Sequence, residues 1–371
     1  MLTIACIGNI SRDYILASGQ HAYTSLGGNA LFTALPSVAL GAATTIFGNM
    51  GHGDIGLSMT KGISDFNISN FEPIFPNSLA ELNIFSRKYN RLLYLDKIRN
   101  IDGAGNIAFI KPKTEYSSFS ETYIYSLAPI LDEYFALKYM QFFVQCDAIL
   151  FCPVNGEVSV RLIKLIRKYC KKSFLSIDMQ GTVRQVGTDR KEYYTAITEI
   201  QDYIANVDFI KLNDIEAQYA FGIKNPVPAT KLNWYTVLGK SIGKILHYAN
   251  NYNPNLIFMI TLGSEGLILG MSSRQIILIN ALPSNVIDHL GAGDAAHAAF
   301  VKSLLASKNI NANYLVETDQ IVRAGIAASI AGSLVVRGKG ALGRLSVENF
   351  DQEMGAMNLS NQVMFFDFPS Y

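Results

Sequence analysis

Val286-Ile-Asp-His-Leu-Gly-Ala-Gly-Asp-Ala-Ala-His-Ala-Ala-Phe300 carries an apolar strand end into a Gly291-Ala292-Gly293 turn, a lone carboxylate at Asp294 and an alanine-rich run that reads as helix. The glycines let backbone N–H groups converge without side chains in the way. The start of the following helix adds N–H groups with no intrahelical partner and the positive end of a dipole. Together these make an anion site. A carboxylate beside an anion site is unfavourable unless it has work there. The fitting work for Asp294 is to take a proton from a hydroxyl that attacks a phosphate held by those N–H groups. The competing reading is a glycine turn with Asp294 as an ordinary N-cap.

A second stretch tests that reading. Asp102-Gly103-Ala104-Gly105-Asn106 is nearly the same turn, but Asn106 replaces the acid and Ile107–Ile110 follows as a strand. This copy reads as a hairpin turn.

The chain has 371 residues, 49% of them hydrophobic, with 21 Phe and 19 Tyr, which is ample for a large buried core. Only 16% of residues are charged and the net charge is +1, so there is no case for nucleic acid or a membrane surface as partner. Basic residues cluster from Arg161 to Lys172, but Leu162, Ile163, Leu165, Ile166 and Tyr169 interleave at helical spacing, as in an amphipathic surface helix. Cys6, Cys146, Cys152 and Cys170 show no zinc or disulfide spacing, and the five histidines form no ligand pair. A reducing, cytoplasmic setting is expected. Met1–Gly8 is apolar but short and lacks a basic flank, so it reads as a strand and not a signal peptide.

Short apolar runs alternate with helix-like stretches. Strands are expected at Leu2–Ile7, Ala43–Phe47, Ala148–Phe151, Phe174–Ile177, Phe209–Lys211, Leu256–Thr261 and Leu267–Leu269. Helices are expected at Ala30–Leu40, Glu157–Lys172, Asp214–Phe221, Tyr235–Asn250 and Ala295–Ala306. This alternation predicts a single three-layer α/β/α domain over residues 1–371 with a mostly parallel sheet. Residues 78–120 break the rhythm with short runs at Leu82–Phe85, Leu92–Leu95 and Ile107–Lys111 amid several tyrosines. They predict a small antiparallel β-rich lid, to which about 11–25 adds strands.

Several loops follow predicted strands. Gly51-His-Gly-Asp-Ile-Gly56 matches a dinucleotide glycine pattern formally, but no acidic residue is placed for a ribose. Gly239-Lys240-Ser241 lacks the upstream glycine of a phosphate loop, because Trp234 stands there. Gly27-Gly28-Asn29 opens a helix and allows close approach to a ligand, or is a plain loop-to-helix junction. Asp13 follows the first strand, where ligands of open α/β sheets bind, or is a turn residue. Asn213 and Glu216 share one face at the start of a helix. They suit hydrated Mg²⁺, or form a capping box. Thr261-Leu-Gly-Ser-Glu-Gly266 is a further glycine-bearing loop after a strand.

In this order the motifs resemble the ribokinase-like (PfkB) sugar and nucleoside kinases over residues 1–345. Gly8–Asp13 is similar to that family's first strand-turn with its substrate-binding Asp, and Gly27-Gly28 to its substrate-contacting pair. Gly48–Asp54 resembles its Gly-x-x-Gly-x-Asp loop, and Asn213-x-x-Glu216 its magnesium motif. Thr261-Leu-Gly263 with Gly266 resembles its nucleotide loop, Asp288-x-x-Gly291-Ala292-Gly293-Asp294 its signature, and Ala324–Val336 the helix near its adenine pocket. Asp178–Arg184 resembles its strand end over the active-site cleft.

The resemblance implies ATP-dependent phosphorylation of a hydroxymethyl group of a sugar or sugar derivative. Asp294 would be the base, with Gly291, Ala292 and Gly293 as the anion hole. Asp13, Gly27, Gly28, Asn29, Asp54 and Asp294 would bind substrate. Asn213, Thr261, Gly263, Gly266, Asp288, Gly291, Gly293, Ala324 and Ala328 would bind the nucleotide. Asn213 and Glu216 would hold Mg²⁺ through water. A monovalent cation and a homodimer formed through the lid are implied as well.

Three departures bear on substrate: His289 replaces Thr or Ser, Phe32 replaces a sugar-binding Asn, and Ser11 replaces another Asn. Two other readings stay open. One is a nucleoside kinase whose aromatic lid stacks a base. The other is a catalytically silent nucleotide-binding regulator on the same fold.

Overall fold

Strand β1 (Thr3–Ile7) is buried along almost its whole length. Ile4 and Cys6 point to one core and Ala5 and Ile7 to the other. A strand covered on both faces has no need of polar alternation, which is why T-I-A-C-I is nearly continuous in apolar residues. The computed structural model describes residues 1–9, 11–17, 20–49, 82–87, 95–100, 131–186, 192–306, 316–338, 340–357 and 362–369.

After β1 come β2 (Ser11–Ala17), β3 (Gln20–Gly27), helix α1 (Asn29–Ala39), β4 (Ala43–Asn49), β5 (Leu82–Arg87) and β6 (Leu95–Asn100). Next are α2 (Glu133–Phe143), β7 (Ala148–Phe151), α3 (Val160–Tyr169), β8 (Phe174–Asp178), the short α4 (Gln180–Val183), β9 (Arg184–Val186) and β10 (Glu192–Tyr194). Then follow α5 (Ile200–Asn206), β11 (Phe209–Asn213), α6 (Asp214–Ala220), α7 (Trp234–Tyr252), β12 (Ile257–Thr261), β13 (Leu267–Met271) and β14 (Gln275–Ile279). The chain closes with α8 (Ala292–Ala306), α9 (Thr318–Val336), α10 (Val347–Ala356) and β15 (Val363–Asp367).

One ten-stranded sheet runs β15-β14-β13-β12-β11-β8-β7-β1-β4-β5. It is parallel from β5 to β12 and antiparallel from β12 to β15. Helices α1, α8 and α9 cover one face and α2, α3, α5 and α7 the other, each with its own apolar cluster. The expected α/β/α class is therefore the observed one. Helix α9 is apolar enough to cross a membrane by composition, but most of it is buried in this core. The four cysteines are buried and free.

A separate small sheet forms from segments of the expected regions, about 11–25 and 78–120, with β2 antiparallel to β3 as the hairpin signals predict but not to its other neighbour. It has the order β3-β2-β6, and β2 pairs parallel with β6. Leu82–Phe85 belongs instead to the main sheet, where β5 pairs parallel with β4. Of the expected strand Leu92–Leu95 only Leu95 is described, as the first residue of β6, and Ile107–Lys111 and the 102–106 turn lie outside the described residues.

The loops at the carboxyl ends of the parallel strands share one rim, the place where open α/β sheets bind ligands. Buried Glu157 ties two of these loops together. Its carboxylate accepts from the N–H groups of Asn9 (3.2 Å), Val154 (2.8 Å) and Asn155 (2.7 Å). In α3 the Ser159 side chain caps the helix, and Leu162, Ile163 and Ile166 are buried. Its Arg167 is more than a solvated charge: the guanidinium donates to Asp208 at 2.6 Å and to the Asn206 carbonyl.

Candidate active site

Gly291 has φ +77° and its carbonyl accepts from Ala295 N–H at 2.8 Å, so the chain enters α8 through a left-handed residue. Ala292, Gly293 and Asp294 make the first turn of the helix. Their N–H groups precede the first intrahelical bonds and define an anion-binding end. Asp294 is buried there. A side chain on Gly293 would place its Cβ 2.9 Å from Lys211 Nζ. A larger residue at this position would therefore have to displace the buried ammonium that lies against the turn.

Lys211 comes from the middle of β11. Its Nζ donates to Asp178 at 2.7 Å, and the two side chains are 4% and 0% exposed. Burial alone would lower the lysine pKa, but Asp178, Glu216 and Asp294 outweigh it and hold the ammonium charged. Asp178 ends β8 and also accepts from Gln180 N–H.

Glu216 is fully buried, and burial pushes its carboxyl up against the pull of Arg184 and Lys211. One of its oxygens accepts from Asn213 N–H at 2.8 Å and the other from Arg184 at 3.2 Å. Asn213 Oδ1 accepts from Glu216 N–H at 2.7 Å, which completes a capping box. Arg184, on the β9–β10 hairpin, lies over the Tyr194 ring, and Tyr194 stacks on Tyr219. Asp294, Lys211, Asp178, Glu216 and Arg184 thus form one alternating charge network across five elements, α8, β11, β8, α6 and β9.

His297 lies one turn beyond Asp294 on α8. It is fully buried, its Nε2 is 2.8 Å from Ser176 Oγ, and its ring leans on Phe209. Burial lowers its pKa to about 4, with Asp178 opposing and Lys211 adding to the shift, so the ring is neutral at physiological pH.

Asp288 is buried, and its carboxylate accepts from Leu290 N–H at 3.0 Å and Gly340 N–H at 3.1 Å. It therefore ties the turn to Gly340 through backbone groups. His289 beside it is exposed. Thr261 ends β12, and Gly263 has open space where a side chain would stand. Gly266 (φ +115°) is required because a Cβ there would meet the Ile279 carbonyl at 2.0 Å. Ala324 and Ala328 are a correction. Both are fully buried in the core under α9, where close packing of Gly325 on Leu269 and Ile279 draws the helix onto the sheet. They present no surface to a nucleotide.

Gly27 and Gly28 are buried at the start of α1, with Gly28 at φ +98°. Asn29 is buried and turned inward: its amide donates to the Pro153 carbonyl, and its oxygen accepts from Thr33. Asp13 lies in β2, paired with Ser25 of β3 and Lys97 of β6. Asp54 and the Gly51–Gly56 loop lie outside the described residues.

Phe32 is buried in the core, with its ring beneath Gly291. It supports the turn and does not line an open pocket. Phe32→Asn is expected to cost about 3 kcal/mol or more, from a lost aromatic and a buried amide, with the ranking of acceptors unchanged. Denaturant melts read the first and a panel of acceptors the second. A changed ranking at wild-type stability would return Phe32 to the substrate site.

Lys211 and His297 have no assigned role in the sequence reading, and Asp178–Arg184 enters it only as a segment that resembles the family's strand end over the active-site cleft. The signal for Lys211 was available: a lysine inside the apolar run Phe209–Leu212 must be paired if it is buried.

The model for the pfkB family of carbohydrate kinases matches residues 157–346. The chain belongs to this family. The match spans β8, β9, β11, α6 and α8, which carry the network just described. A curated relative, the ATP-dependent 6-phosphofructokinase of Thermoanaerobacterium thermosaccharolyticum, is 26% identical over 157 residues, 41% of this chain. The alignment spans 41% of that relative's length. Two solved structures share the fold. Ribokinase from Giardia lamblia has a TM-score of 0.69 at 16% identity, covering 95% of this chain and 100% of that one. A pyrophosphate-dependent kinase of the ribokinase family, complexed with a pyrophosphate analog and myo-inositol, has 0.66 at 20%, covering 94% and 99%.

Proposed function

We propose that this PfkB-family protein transfers the terminal phosphoryl group of ATP to a hydroxymethyl group of a sugar or sugar derivative. The observation that carries this reading is the buried Asp294 in the first turn of α8, beside the glycine turn and the Lys211 ammonium. Asp294 takes the proton of the attacking hydroxyl. The N–H groups of Ala292, Gly293 and Asp294 stabilise the charge on the transferring group, and Lys211 adds a fixed positive charge behind them. Positioning and electrostatics dominate transfers of this kind. Asp13, Gly27, Gly28 and Asp54 form the acceptor side of this proposal, with Asn29 setting the angle of α1. Thr261 and Gly263 form the donor side, with Gly266 and Asp288 shaping their loops.

ATP is favoured over pyrophosphate by Val286 and Ile287. They stand 60% and 56% exposed immediately before the signature, and a base has use for an apolar shelf where pyrophosphate has none. Turnover with ATP, GTP and pyrophosphate against pentoses, hexoses, fructose 6-phosphate, myo-inositol and nucleosides tests donor and acceptor together. No turnover with any pair would leave the silent-regulator reading standing.

The arrangement does not fit a resident Mg²⁺ at Asn213 and Glu216. Glu216 has no exposed surface, and both of its oxygens, like Asn213 Oδ1, are engaged within the protein. Among the described residues no group of three or more His, Cys, Asp or Glu side chains is placed to hold a metal ion. Glu216→Gln is therefore expected to lower the melting temperature through the lost Arg184 pair, while the Mg²⁺ concentration for half-maximal rate stays unchanged. A several-fold rise in that concentration would restore Glu216 as a metal ligand.

A further inference from the structure

Strand β15 is the outer edge of the ten-stranded sheet, with β14 its neighbour on one side and, among the described residues, no strand on the other. It follows the portion of the chain that the family model matches. Natural edge strands are protected by charges, prolines or bulges. Val363-Met-Phe-Phe-Asp367 has one charge, at its end, and its register with β14 is regular. Met364, Phe365 and Phe366 are 40%, 53% and 38% exposed.

The hydrogen-bond phase fixes which backbone groups face outward. Asn280 N–H donates to the Gln362 carbonyl and Phe368 N–H to the Arg274 carbonyl. Pairing alternates along an antiparallel ladder. Met364 and Phe366 therefore bond to β14, while Val363, Phe365 and Asp367 turn their N–H and C=O groups to the open edge.

We propose that this edge pairs antiparallel with the β15 of a second copy of the chain, with Phe365 on the two-fold axis, extending the sheet across a dimer. The strand is self-complementary in that register. The outward-facing set, 363, 365 and 367, is symmetric about Phe365, so each bonds a counterpart that also faces outward. Asp367 then stands opposite Val363, and no like charges meet. Phe365 stands beside the second copy's Phe365, and Met364 opposite its Phe366, both favourable cross-strand pairs. An isologous contact of this kind closes at two copies. One strand is small beside the roughly 800 Å² per partner of a stable interface. The start of α7 enlarges it: Trp234 meets the Phe366 ring, and Tyr235, itself exposed, meets Phe368. This dimer uses no strand of the β3-β2-β6 sheet and is independent of the proposed reaction.

Sedimentation equilibrium over a dilution series, with the full chain, is the test. The wild type should be dimeric. Phe365→Lys should be monomeric with unchanged circular dichroism, because it sets two lysines against each other at the axis. Phe365→Pro should also be monomeric, since it removes an outward N–H without touching the ladder to β14. Mixing Phe365→Lys with Phe365→Asp should restore the dimer as a heterodimer, an outcome only pairing of the chain with itself can give. A monomeric wild type, a dimer that survives Phe365→Lys, or no restoration on mixing would each overturn the proposal.

Discussion

Asp294→Asn should lower kcat by about a hundredfold or more while ATP binds nearly as well as before. A positioned general base contributes ~10²–10⁴ in rate, and Asn keeps the size of Asp while losing its ability to take a proton. The backbone N–H groups of the helix start are untouched by the change, so the donor site should persist. Removing the negative charge also leaves Lys211 with two acidic neighbours, Asp178 and Glu216, so the ammonium stays charged and paired. The variant should therefore melt near the wild type. Steady-state kinetics and ATP titration by calorimetry read the two arms separately. Near-wild-type turnover would remove Asp294 as the base, and loss of ATP binding would make it a residue of the donor site.

The parts of this protein that the sequence made legible are those where one residue type answers one constraint. Gly291 could be placed because a left-handed turn favours glycine, and Gly293 because the turn packs closely on a buried side chain. Buried parallel strands announce themselves as apolar runs, and β7 occupies Ala148–Phe151 as expected. Asn213 and Glu216 show the limit of spacing as a guide. The i, i+3 pattern serves a metal and a capping box equally well, and burial, which spacing does not report, separates them. The strand partners around the small sheet were not legible for a related reason. Leu82–Phe85 alternates like any half-buried strand, and a hairpin signal nearby says nothing of which sheet it joins; partner choice depends on the non-local contact with β4. The network of Lys211, Asp178 and Arg184 stayed hidden because its members lie on separate strands and meet only when the sheet assembles.

Lys211→Met should be the most destabilising single change in the site. It strips a cation from a cluster in which Asp178 is fully buried and Glu216 and Asp294 are close. Breaking one side of a buried pair costs about 3–5 kcal/mol, because the remaining charge is left without compensation. Asp178→Asn in the same background should recover part of that loss, since the stranded carboxylate is then neutral. A double-mutant cycle on denaturant melts measures the coupling, which for contacting groups runs ~0.5–3 kcal/mol. The same cycle separates structure from chemistry. If Lys211 only neutralises Asp178, the double variant should regain activity along with stability. If its charge behind Gly293 also supports the anion site, stability should return while kcat stays low, because nothing in the double variant replaces that charge. The second result is the expected one. Full return of kcat would confine Lys211 to a structural role, and a Lys211→Met protein of wild-type stability would deny the buried pair altogether.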